Sequence, residues 1–251
     1  MRSPAVAQGG RQSPQRPGRS LMQVWTSPQL SRGASRTLWN GSAGAAVGPS
    51  MALPDFSVTY DYRCPYARNA HEHLVTALQA GADWHVDFVP FSLSQAHVEE
   101  GEAAVWDDPQ HAPDLLAVEA SIAVRQVDPE RFLGVHLALF AARHDEGRDL
   151  RQPDVVRSVL AGQGVDGDGV LRAVAQGGPR LTFRAAHEYA VGSHQVFGVP
   201  TFIVGDRAAF ARLLVRPQGD PELARSTIER VVGLVADHPE INELKHTSVP
   251  R

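Results

Sequence analysis

The sequence predicts an α/β fold in which a strand–helix–strand unit, a long helical stretch and a strand–strand–helix unit share one central mixed sheet. Three observations point there. Residues 56–60 alternate apolar and polar at the strand period. Apolar residues at helical spacing fill about 96–195. β-prone residues then return at 199–204 beside turn chemistry.

Phe56, Val58 and Tyr60 alternate with Ser57, Thr59 and Asp61, which predicts the first strand. Pro65 follows, and Ala70, Leu74, Ala77 and Leu78 set a helix over Tyr66–Gln79 that Gly81 closes. Val86, Phe88 and Val89 form a second strand running into Pro90. Such a crossover implies parallel strands. In the middle, Leu115, Val118 and Ile122 define one helical face, and Phe132, Val135, Leu139 and Ala142 another. Pro153 opens a third helix that ends at Gly162, Asp168 caps a fourth, and Phe183–Val191 reads as a fifth. Val199 and Thr201–Val204 resume the sheet, Gly205-Asp206 turns, and Ala209–Val215 returns as the paired strand. Asp220 and Pro221 open a last helix with the face Ala224, Ile228, Val231 and Val235. This order, βαβ–(helical insertion)–ββα, is a thioredoxin-like core with an insert. The expected boundaries are a disordered N-terminal extension at 1–52, a thioredoxin-like domain at 53–95 and 196–240, an inserted α-helical domain at 96–195, and a C-terminal tail at 241–251.

The 251 residues carry 24 Lys and Arg against 28 Asp and Glu. Six arginines stand in residues 1–50, where there is no Asp or Glu, so the other 18 basic residues face all 28 acidic ones. A body this acidic is not expected to bind nucleic acid, which begins with clustered cations. No apolar stretch is long enough to predict a membrane span. Residues 1–50 are rich in Ser, Gly, Pro, Gln and Arg. They read as disorder or as an upstream extension before a start at Met51, with a transit peptide less favoured.

Cys64 is the only cysteine. No intrachain disulfide and no paired-cysteine zinc site can form, no metal or tightly bound cofactor is expected, and an unpartnered thiol suggests a reducing, cytoplasmic setting. Cys64 stands where the first strand ends, with Pro65 at the first helical position. That makes it the N-cap, its sulfur facing the free amides of Tyr66 and Ala67 at the positive end of the helix dipole. Cysteines so placed have depressed pKa values, and the flanking Arg63 and Arg68 would add positive potential if they lean inward. The blander alternative is a small buried hydrophobe.

Tyr60-Asp61-Tyr62-Arg63-Cys64-Pro65-Tyr66-Ala67 resembles the strand-to-helix corner of DsbA-like thioredoxin-fold proteins, which carry Cys-Pro-x-Cys. Phe197-Gly198-Val199-Pro200-Thr201-Phe202 is similar to the Gly-Val-Pro-Thr segment of the same family. The resemblance covers about 55–238. It implies that Pro200 is cis and lies against Cys64, and that Val199, Pro200 and Thr201 meet an extended substrate or thiol ligand. Within the family the chain is similar to cytosolic actinobacterial members that work with mycothiol, including through its Glu243-Leu244-Lys245 ending. Ala67 stands where the family has its second cysteine. The implied chemistry is therefore monothiol: Cys64 exchanges with a disulfide and needs an external thiol, mycothiol or glutathione, as co-substrate. Partners would be small thiols or disulfides, and protein thiols; a monomer and a homodimer stay equally open. Kappa-class glutathione transferases and 2-hydroxychromene-2-carboxylate isomerases share the architecture and carry Ser-Pro-Tyr at this corner. A thiol-dependent transferase or isomerase, and a redox-inactive binding protein, remain alternatives.

Other motifs point elsewhere. Gly162-Gln163-Gly164-Val165-Asp166-Gly167 fits G-x-G-x-x-G but follows a helix rather than a strand, so it reads as a loop. Asp166-Gly167-Asp168-Gly169 starts like a calcium loop, yet Val170 and Gly177 fall at ligand positions. His71 and His73 point to different helix faces, and His71 reads as exposed polar filler. His194, just before the 197–202 segment, is a candidate site-lining residue. Trp106 reads as insertion core or interdomain packing rather than a substrate platform.

Overall fold

The computed structural model describes residues 53–247; the expectations for 1–52 and for the last residues of the tail lie outside them. Four strands form one sheet in the order β2-β1-β3-β4. β1 (Phe56–Tyr60) leads through α1 (Pro65–Gln79) to β2 (Val86–Pro90), which lies parallel to β1 with Phe56 opposite Val86. β3 (Thr201–Val204) is antiparallel to β1, with Val58 opposite Phe202, and β4 (Arg207–Phe210) is antiparallel to β3. The predicted fold class is the observed one.

Between β2 and β3 the chain is helical. A short α2 (Leu93–Ala96), capped by Ser92 and absent from the sequence reading, precedes α3 (Ala112–Val127) and α4 (Phe132–His144). Then come α5 (Pro153–Gly162), α6 (Gly167–Ala175) and α7 (Gly178–His194), and α8 (Pro221–Asp237) closes the fold. No described helix is long and apolar enough to cross a membrane.

Two apolar clusters hold the sheet. On one side α1 and α8 bring Ala70, Leu74, Ala224, Ile228 and Val232 against Val58, Phe202 and Val204. On the other, Tyr60, Tyr62 and Ile203 join a cluster that runs without a break into Leu115, Val135, Leu139, Phe140 and Phe183. Trp106 belongs to this second cluster, its ring 5.0 Å from that of Phe183.

Four local expectations are corrected. Asp166, not Asp168, caps α6 through its carboxylate on the Gly169 amide, because Asp168 already sits in the first turn, where it pairs with Arg157. α7 is longer than Phe183–Val191. Val232 rather than Val231 is fully buried on α8. β4 runs from Arg207 to Phe210 rather than from Ala209 to Val215, because β3 begins at Thr201 and Pro200 before it has no N–H to extend the ladder. The following segment instead runs beside α1, where Asn69 donates to the Leu213 carbonyl and His73 to that of Val215.

Candidate active site

The corner after β1 is shaped by Asp61. Its carboxylate accepts the Arg63 backbone N–H at 2.9 Å and the Leu93 N–H at 2.9 Å, and it holds the Arg63 guanidinium at 2.8 Å. The Cys64 N–H closes the turn on the Asp61 carbonyl at 3.0 Å. Pro65 can then start α1 with its preset φ and no missing donor. Cys64 is the N-cap, extended at φ −93° and ψ 118°, and its sulfur accepts the Ala67 amide at 3.5 Å.

The far side of the sulfur meets the segment leading into β3. The Val199–Pro200 peptide bond is cis. The Cys64 thiol donates to the Val199 carbonyl at 3.3 Å. Thr59 fixes this loop from β1: its hydroxyl accepts the Thr201 N–H at 2.8 Å and lies 3.4 Å from the Gly198 carbonyl. Thr201 is 3% exposed and its own hydroxyl donates to the Gly198 carbonyl at 2.7 Å. Thr201 therefore turns inward and shapes the loop, rather than facing a ligand as the sequence suggested. Pro65 is exposed and Tyr66 half-buried, while Ala67, in the place of the family's second cysteine, is fully buried.

The expected depression of the Cys64 pKa is overturned. Cys64 is 9% exposed, and burial pushes the thiol up. The amides of Ala67 and Tyr66 oppose that, the Asp61 carboxylate reinforces it, and Arg212 lowers it. Desolvation of a thiolate here outweighs two amides and one exposed cation.

Arg63 and Arg68 were expected to supply the positive charge, and neither does. Arg63 is spent on Asp61 and on the Ser94 hydroxyl at 2.7 Å, and Arg68 is paired with Asp145 at 2.6 Å. His194 does not join the site either: its ring packs 5.6 Å from that of Tyr189 at the end of α7, and its Nδ1 is buried without a partner. The cation that reaches Cys64 is Arg212, which the sequence reading missed. The signal lay in the hairpin register: Thr201 opposite Phe210 brings the next residues beside Pro200, and the Ala211 N–H donates to the Pro200 carbonyl at 3.1 Å.

Behind the corner lies a cavity of about 260 Å³, walled by Asp61, Arg63, Asp114, Arg143 and Arg151 among others. The seam between α1 and α4 is a buried relay. His71 is 0% exposed, which corrects its reading as exposed filler. It bonds to the Thr59 carbonyl at 3.2 Å and to His136 at 3.0 Å, and His136 bonds in turn to the Tyr62 hydroxyl at 2.8 Å.

Known proteins share parts of this sequence and fold. The Thiol:disulfide interchange protein DsbA of Azotobacter vinelandii is 33% identical over 76 residues, which span 30% of this chain and 35% of that protein's length. The cytosolic disulfide reductase DsbM from Pseudomonas aeruginosa, solved with GSH, superposes with a TM-score of 0.49 at 16% identity, over 71% of this chain and 98% of that one. DsbA from the same organism gives 0.44 at 22% identity over 76% of this chain and 89% of that one. Residues 57–215, from the first strand through the segment that brings Arg212 to Cys64, match the DSBA-like thioredoxin domain, and the chain belongs to that family.

Proposed function

We propose that the chain is a thiol–disulfide oxidoreductase of monothiol type, working in the cytoplasm with a low-molecular-weight thiol, mycothiol or glutathione, as co-substrate. The single observation that carries this reading is the sulfur's position. Cys64 Sγ sits between the Ala67 amide and the Val199 carbonyl, in a chain with no second cysteine.

At rest the proton stays on sulfur and is donated to Val199. Loss of that proton to solvent leaves a thiolate facing the Ala67 and Tyr66 amides, which stabilise it. The thiolate attacks one sulfur of a disulfide R–S–S–R. The Cys64–S–S–R bond forms, the R–S–S–R bond breaks, and R–S⁻ leaves and takes up a proton. Ala67 offers no thiol to resolve the adduct, so a second external thiolate attacks it, releases R–S–S–R′ and restores Cys64. Each turnover exchanges thiols through a mixed disulfide and leaves no intrachain disulfide.

Intact mass after incubation of the folded protein with oxidised glutathione, or with mycothiol disulfide, tests the reading. One adduct per chain, lost in Cys64→Ser and removed by excess reduced thiol, is the expected result. A folded protein that stays unmodified at pH 9, while its unfolded chain is modified, overturns it.

One observation favours a second reading, a thiol-dependent transferase or isomerase. A protonated Cys64 that donates to a carbonyl does what a serine hydroxyl does. Transfer activity that survives Cys64→Ser would select that reading.

A further inference from the structure

We propose that Arg212 is an anion-recognising, specificity-determining residue at Cys64, and that it selects disulfides whose substituents carry a carboxylate. This deepens the proposed exchange chemistry and rests on that reading for its substrate class.

Arg212 is exposed, and its guanidinium carbon lies 5.4 Å from the Tyr66 ring centre and 5.9 Å from that of Phe210. Tyr66 is the second residue of α1 after Cys64, and Phe210 is the β4 residue opposite Thr201. The guanidinium thus rests on two rings that bracket the entrance between the helix start and the cis-proline loop. Ring faces hold a cation by its plane and leave its N–H edge free to bind a planar anion.

The charge on Arg212 is uncommitted. Around α1, Arg63 is held by Asp61, Arg68 by Asp145, and Arg216 by Glu72 and Asp145. Arg212 has no carboxylate partner among the described residues. Arg212 is one of the arginines that no carboxylate holds, and it is the one whose field reaches the reactive sulfur.

The same entrance is apolar on its other wall. Phe197, immediately before Gly198, is 71% exposed and packs 5.3 Å from Phe210. A ligand that runs along this strip lays carbon on the Phe197–Phe210 pair and its carboxylate on Arg212, with its sulfur directed to Cys64. That describes a small carboxylate-bearing disulfide better than a neutral one.

The test compares anionic reagents with neutral ones, the closest match in size being iodoacetate and iodoacetamide. Cys64 alkylation by iodoacetate and by iodoacetamide gives a rate ratio that is independent of the thiolate fraction. Oxidised glutathione against bis(2-hydroxyethyl) disulfide gives the matching ratio for exchange. Arg212→Gln should lower both ratios about threefold, the scale of one exposed charge pair. Arg212→Glu should lower them about tenfold, because a like charge now faces the anion. Arg212→Lys should recover most of the iodoacetate ratio, and added salt should compress the wild-type ratios toward those of Arg212→Gln. Ratios that are the same in wild type, Arg212→Gln and Arg212→Glu overturn the proposal. If neither disulfide forms an adduct while the alkylation ratio still follows residue 212, the exchange reading fails and anion recognition stands. If adducts form with ratios blind to residue 212, exchange stands and anion recognition fails.

Discussion

A thiol ionises when its surroundings stabilise the resulting charge better than they stabilise the proton's bond to sulfur. At Cys64 the helix start contributes two amides to that balance, while burial and the Asp61 carboxylate oppose them and prevail. Alkylation of Cys64 by iodoacetamide should therefore keep accelerating above pH 9.0, the ordinary value for a thiol. A plateau reached by pH 8 would refute the balance described. Arg212→Gln removes the one cation that lowers the pKa, so its profile should move to higher pH. Asp61→Asn removes the opposing carboxylate and should move it to lower pH. The sequence made the position of the sulfur legible, since a cysteine between a strand end and a proline falls at the N-cap of the following helix. The balance around it was not legible: the resemblance brought the 197–202 loop to the sulfur, but the depth of burial and the arrival of Arg212 through a hairpin are set by the folded chain.

At the scale of elements, the glycines between α5 and α6 show how a motif can be set by packing. Gly167 is the first residue of α6, and a Cβ there would stand 3.1 Å from both the Cα and the backbone carbonyl of Arg157. The close approach of α6 to α5 leaves a side chain there little room. Gly162, the last residue of α5, has open space where its Cβ would stand. Gly167→Ala should cost about 1–3 kcal/mol, as overpacking does. Gly162→Ala should be neutral or stabilising by up to about 1 kcal/mol. Urea midpoints of the two variants check this, and equal effects would contradict the packing account. The glycines' spacing was visible in sequence and its helix-following context excluded a dinucleotide loop, but only the structure shows why each stands there: Gly167 for the α5–α6 approach and Gly164 for its φ of 73°. The other elements sort the same way. α1, with its proline start and regular apolar stripe, was readable from local pattern. β4 was overextended because the sequence does not announce where its partner strand begins, and α2 was missed because one turn leaves no period to detect.

Across the whole molecule, the sheet and the helices of 112–194 are joined by buried imidazoles that have no room for an extra proton. The Thr59 carbonyl can only accept, so His71 donates from Nε2 and accepts on Nδ1; His136 then donates from Nε2 and accepts on Nδ1 from the Tyr62 hydroxyl. Every position in that relay is filled when both rings are neutral. A further proton would replace an acceptor with a donor, inside a cluster where the rings of Tyr60, Phe132 and Phe140 surround His136. Burial accordingly lowers His71 from 6.5 to about 4 and holds His136 well below 6.5, with His71 adding to the effect. His187, bonded to the Ser92 amide, is lowered to about 4 as well. In each case the folded value lies below the unfolded one, so the unfolded chain binds the proton first. Stability is then complete above pH 6.5 and is lost as pH falls from 6.5 toward about 4. His71 alone would cost roughly 3 kcal/mol across that window, at about 1.4 kcal/mol per pH unit. Urea midpoints should therefore fall between pH 6.5 and 5, above the range where ordinary carboxylates titrate. Tyr62→Phe, which leaves the His136 Nδ1 acceptor unfilled, should lose about 1–2 kcal/mol at pH 7.5. With that acceptor free, protonating His136 no longer breaks a bond, so the acid slope should become shallower. A midpoint that stays level from pH 7.5 to 5, or a Tyr62→Phe slope as steep as that of the parent, would show that the seam does not depend on neutral histidines.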